Sequence, residues 1–122
     1  MNTYKQHLEL ANERFLFALE LFEDEKYHTA AHLFINAAIN YHSAICQKFL
    51  NKIPRHKPHS DTGYFQELAD RLDDDLPRYR TAYEFLIGHK SDADYGTEFS
   101  QGTAKQVFRR AKTVKEIAEA IL

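Results

Sequence analysis

The side chains best equipped for chemistry cluster where an apolar helical run gives out. Tyr83, Glu84, Phe85, Leu86 and Ile87 lead into Gly88, and His89, Lys90, Asp92, Asp94 and Tyr95 follow at once. The C-terminal end of a helix is partially negative, and a cation placed there gains roughly 0.3–1 kcal/mol. His89 and Lys90 therefore have a structural reading, as cations closing a helix. They also have a functional one, in which Lys90 supplies charge to an anionic or nucleotide ligand, Tyr95 offers a stacking face, and Asp94 orients one of them. A second basic cluster runs from Lys48 and Lys52 into Arg55, His56, Lys57 and His59. It reads either as a solvated helix end facing the acidic 70–75 run or as a contact patch for a phosphate backbone.

Cleaving RNA needs a group that withdraws the 2′-hydroxyl proton, another that protonates the leaving oxygen, and donors for the charge building on phosphorus. His56, His59 and His89 titrate in the right range, and Lys90 and Arg55 carry suitable charge. His28 and His32 stand four apart, on one face of a helix. A zinc site would need a further ligand, which Glu25 and Asn36 do not complete, so the pair reads as part of a polar stripe with Asn36 and Ser43 that could face a second subunit. No metal and no cofactor is expected. Cys46, the only cysteine, sits in an apolar helical pattern and reads as a small buried hydrophobe. The last helix carries Lys105, Arg109, Arg110, Lys112 and Lys115, diluted by Glu116 and Glu119, which reads foremost as a solvated face.

These groups must be held by helices. At 122 residues, 43% apolar and 28% charged, the chain suits one domain over 1–122 and not two independent cores. Four glycines, three prolines and no sustained alternation argue for an all-α fold. A first helix is expected from about Tyr4 to Phe22, capped by Thr3 with Gln6, burying Leu8, Ala11, Phe15, Ala18, Leu19 and Phe22. A long central helix follows from about Glu25 to Leu50, then a connection from Asn51 to Gly63, and a short helix from about Gly63 to Asp73. Pro77 favours a fourth start near Leu76, weakening around Gly88. After a polar segment from Asp92 to Gly102, Thr103 and Gln106 resemble a capping box for a last helix. Its seam of Val107, Ala111, Val114, Ala118 and Ile121 either closes the core or meets a second copy, as in a homodimer. Together these elements give an up-and-down antiparallel bundle of about five helices.

The formal charge of −2 supplies no global attraction to polyanions, so any nucleic-acid contact must be local. No apolar run approaches the ~20 residues of a membrane span and no signal core is present, so a cytoplasmic location is the expectation.

Lys90-x-x-Ala93-Asp94-Tyr95 resembles the basic-x-x-Ala-Asp-Tyr signature of HEPN-type proteins, small helical modules of prokaryotic nucleotide and RNA systems. The likeness covers roughly Tyr4 to Tyr95. His56-Lys57-Pro58-His59-Ser60-Asp61 is similar to the polar entrance to the short helix in that group. The resemblance implies a HEPN-like bundle and a nucleotide- or RNA-associated role, often beside a small nucleotidyltransferase partner. Many active members are metal-independent ribonucleases using an Arg, four to six residues, then a His. This chain departs from that pattern, with eight residues between Arg80 and His89 and three between Arg55 and His59. At about 100° per residue, Arg80 and His89 fall on opposite sides of a helix. The resemblance thus implies a binding module built on Lys90, Asp94, Tyr95, Arg55, His56, Lys57 and His59. Two alternatives stay open: a degenerate-motif ribonuclease toxin using His89 or His59, and a purely structural interaction domain.

Overall fold

A computed structural model describes residues 4–52, 64–94 and 99–122, with the side chains of Asp92 and Asp94 excepted. The fold is an all-α bundle, with no strand among the described residues. Its elements are α1 (Tyr4–Glu23), α2 (Tyr27–Leu50), α3 (Ala69–Leu72), α4 (Leu76–Gly88), α5 (Lys90–Asp94) and α6 (Gln101–Ile121). Residues 64–67 are also helical, and Asp73–Asp75 form a 3-10 turn leading into α4. Pro77 occupies the first turn of α4, where its missing N–H costs no hydrogen bond.

The joint between α1 and α2 is tighter than the periodicity alone predicts. Glu25 adopts φ 63°, Lys26 N–H reaches back to Leu21 O at 2.9 Å, and Glu25 N–H to Phe22 O at 3.1 Å. This left-handed closure uses the carbonyls that α1 would otherwise leave open, and it delays the start of α2 to Tyr27. Asn51 closes α2 in the same conformation, φ 55°.

Helix α2 lies at the centre because apolar residues cover most of its circumference, and it touches α1, α4, α5 and α6. Ala11, Ala18, Ala30, Ala31, Ala37 and Ala38 are fully buried, and such small side chains allow helices to approach closely. Larger rings fill the remaining space. Phe34 meets Phe15 edge-on at 5.2 Å and Phe108 at 5.2 Å, tying α1, α2 and α6 together. On the other flank His42 is fully buried among Phe65, Tyr79 and Tyr83, with a 2.5 Å hydrogen bond between its Nδ1 and the Tyr79 hydroxyl. Cys46 is buried as expected, its Sγ 3.6 Å from His42 Nε2.

One expectation changes here, and one stated alternative is decided. Helix α6 begins at Gln101, with Ser100 as its cap accepting from Thr103 N–H at 3.1 Å, so Thr103 is the capped position and not the cap. The seam Val107, Ala111, Val114 and Ala118 is buried within this one chain. It closes the core and is not available to a second copy. Much of the polar side of α2 is similarly enclosed, with Asn40, Ser43 and Gln47 buried. Thr3, expected to cap α1, lies outside the described residues.

Candidate functional site

Helix α4 does not run out into a polar segment after Gly88. It turns at His89, whose N–H reaches Leu86 O at 3.1 Å, and helix resumes as α5. The His89 ring folds back, donating from Nδ1 to Phe85 O at 2.9 Å and so satisfying a carbonyl that the end of α4 leaves open. That contact leaves Nε2 as the other ring nitrogen. The imidazole lies on the Phe85 ring, with centroids 4.4 Å apart, and has Phe99 edge-on at 6.1 Å.

Helix α5 is held from a distance. His28, in the first turn of α2, donates from Nε2 to Ala93 O at 3.1 Å, and Ala93 is buried. Because a carbonyl can only accept, the proton sits on Nε2, and the buried His28 Nδ1 has no hydrogen-bond partner. Phe99 covers His28 at 5.2 Å, so one phenyl ring links His28 with His89. His28 therefore positions α5. Among the described residues no group of three His, Cys, Asp or Glu side chains is placed to hold a metal.

Lys90 opens α5 beside His89 and is half-buried. Asp94 ends α5, and its side chain is not among those described. Tyr95, Arg55, His56, Lys57 and His59 lie outside the described residues.

The remaining basic residues divide into two groups. Some act within the chain. Lys52 pairs with Glu67 at 2.7 Å, a hydrogen bond and charge that raise its ammonium above the ordinary lysine range. Lys48 lies over the rings of Tyr4 and Phe49 at 5.0 and 5.3 Å. Arg80 pairs with Glu84 at 2.8 Å and covers Phe65, whereas His89 lies on Phe85.

Arg110 behaves differently. Its guanidinium sits 5.4 Å from the centroid of Phe85, the ring that also carries His89. Helices α4 and α6 thus bring an arginine and a histidine to one phenyl group, with Lys90 adjoining in sequence. Arg110 also lines an open cleft of about 490 Å³ with Gln106, Arg109 and Thr113, which has no carboxylate among the described residues. Sequence reasoning placed Arg110 on a solvated face and gave Phe85 no role. The available signal was the Arg109–Arg110 pair, but nothing local assigns it to His89.

No protein-family model, no curated protein and no solved structure matches this chain.

Proposed function

We propose that the protein is a HEPN-like, nucleotide- or RNA-associated binding module of the cytoplasm, acting without the spaced Arg-His nuclease motif and partnered by a small nucleotidyltransferase. The observation that carries this reading is the meeting of Arg110 and His89 on Phe85, with Lys90 next to His89 in sequence and Arg110 lining a cleft that has no carboxylate among the described residues. Guanidinium groups bind phosphate through paired N–H donors, and a cation resting on a ring keeps those edges available. His89 Nε2 and the aromatic edges of Phe85 and Phe99 provide a polar and a flat surface for a base or sugar. Asp94 and Tyr95 from the Ala-Asp-Tyr signature complete the ligand surface in this reading.

The same convergence favours one second reading. The Arg and His that sequence spacing fails to pair are supplied here by two helices, which is the inventory of a ribonuclease. One experiment separates them: thermal melting of the purified chain with a panel of nucleotides and short RNAs, with RNA integrity read in the same tubes. A ligand present at a hundredfold its dissociation constant stabilises by about 2.7 kcal/mol. With about 2.1 cal/mol/K of unfolding entropy per residue, 122 residues convert this to a rise near 10 °C. The binding module predicts that shift without cleavage, and its loss in Arg110→Ala and Lys90→Ala. Cleavage abolished by His89→Ala supports the ribonuclease. No shift with any member of the panel overturns both readings and leaves an interaction domain.

A further inference from the structure

The charges of α6 are arranged against its own stability. From Gln101 to Lys115 the helix carries Lys105, Arg109, Arg110, Lys112 and Lys115 and no Asp or Glu. Lys105 and Arg109 stand at i and i+4, and Arg109 and Lys112 at i and i+3, spacings at which like charges repel and weaken a helix. Neither end is matched to the helix dipole, since no acidic residue stands in the first turn, no basic one in the last, and Glu119 falls in that last turn.

Elsewhere basic groups are answered: Lys52, Arg78, Arg80 and Lys115 each pair with a carboxylate. Lys105, Arg109, Arg110 and Lys112 are exposed and form no ion pair among the described residues. The contrast holds within α6 itself. On its flank toward α1, Lys115 lines a groove with Leu16 and Phe108, and there it is paired with Glu119. On the other side Arg109 joins two features: it lines the cleft with Arg110, whose guanidinium lies at Phe85, and it stands one turn from both Lys105 and Lys112. Lys105 and Lys112 are separated by a rise of about 10.5 Å along the helix. Phosphates of a stacked strand recur about every 3.4 Å along its axis, so the row spans about three such steps.

We propose that α6 carries the backbone of a single-stranded RNA segment of about four nucleotides, its phosphates laid along Arg109, Lys105 and Lys112 and its terminal base at the rings of Phe85, His89 and Phe99. This rests on the nucleotide- or RNA-binding reading and deepens it from a nucleotide to a strand. It draws on α6, which lies outside the stretch from Tyr4 to Tyr95 that carries the family likeness. A mononucleotide does not account for the row, because one phosphate cannot cover three cations spread over that rise. A duplex does not account for the rings, because side chains stack on bases that are unpaired. A strand over the row also screens the repulsion between Lys105, Arg109 and Lys112 that the free helix bears.

Fluorescence anisotropy of the full chain with labelled tetra- and octauridylate, and with uridine monophosphate as competitor, reads the outcome over a salt series. Affinity is expected to rise steeply from the monophosphate to the tetramer and little beyond. With four cations on phosphate, the logarithm of the octamer association constant falls against the logarithm of salt with a slope of about −2.8. Lys105→Gln and Lys112→Gln each weaken octamer binding severalfold, flatten the slope by about 0.7 and leave the monophosphate unaffected. Lys5→Gln, an exposed lysine at the start of α1, changes neither. Without RNA the Lys105 and Lys112 variants melt no lower than the wild type, since each has lost a like-charge contact, so weaker binding in them is not lost folding. An octamer bound no more tightly than the monophosphate, or indifferent to Lys105→Gln and Lys112→Gln, overturns the strand; monophosphate binding that Arg110→Ala abolishes would still leave the nucleotide site standing. No binding of either ligand overturns strand and site together. An RNA duplex or an octaglutamate peptide bound more tightly than the octamer, with the same dependence on Lys105, assigns the row to that partner and overturns the proposal.

Discussion

Alkaline unfolding offers the sharpest test of the α1–α2 contact. Tyr41 is fully buried, and its hydroxyl donates to Asn12 Oδ1 on α1 at 2.5 Å. Burial, and secondarily the charge of Glu119, hold the phenol well above its ordinary range near 10. A folded-state pKa raised above the unfolded value contributes stability that is complete below pH 10 and is lost as pH rises, because only the unfolded chain gives up the proton. One such proton corresponds to about 1.4 kcal/mol per pH unit. For 122 residues, with about 2.1 cal/mol/K of unfolding entropy each, that is near 5 °C per unit. Tyr41→Phe removes the hydrogen bond to Asn12 and should cost about 0.5–1.5 kcal/mol at pH 7, or 2–6 °C. The same substitution removes the titration. Melting curves of the two proteins, followed by calorimetry from neutral pH to about 11.5, should converge above pH 10 and meet near pH 11. Parallel curves across that range would refute the linkage between Tyr41 burial and alkaline stability.

Two local devices give further predictions. Glu25 holds φ 63° at the end of α1, a position suited to glycine, so Glu25→Gly should stabilise by roughly 0.5–1 kcal/mol in denaturant titrations. Ser100→Ala removes the acceptor for Thr103 N–H at the start of α6 and should lower the melting temperature by about 4 °C, for a loss of about 1 kcal/mol.

The helices were legible because burial in a bundle repeats every 3.6 residues and leaves its period in the chain. Ala11, Phe15 and Ala18 on α1, and Val107, Ala111, Val114 and Ala118 on α6, were expected inward and are buried. What could not be read depends on contacts distant in sequence or on backbone geometry. The 92–94 stretch looked like polar loop, yet it is helical, and its Ala93 carbonyl is held by His28, 65 positions away. Thr103 and Gln106 imitate a capping box, whereas Ser100-x-x-Thr103 does the capping without the Glu or Gln that marks one. Of the α2 residues that resembled a subunit interface, Ser43 is only 2% exposed within a single chain, whereas His28, His32 and Asn36 stay half-buried.

The candidate site was half legible for a related reason. His89 and Lys90 could be singled out because they share a helix terminus, a local property. Arg110 could not, since its pairing with Phe85 depends on how α6 lies against α4. That same placement separates the two surfaces of α6. Phe108 and Arg110 are two residues apart and so point about 200° apart around the helix axis, one toward the α1 groove and the other toward Phe85. Leu16→Glu should therefore retain the nucleotide-induced rise in melting temperature, and Arg110→Ala should abolish it. If Leu16→Glu also removed the rise, the surfaces would be coupled, and the separation inferred from the geometry of α6 would be wrong.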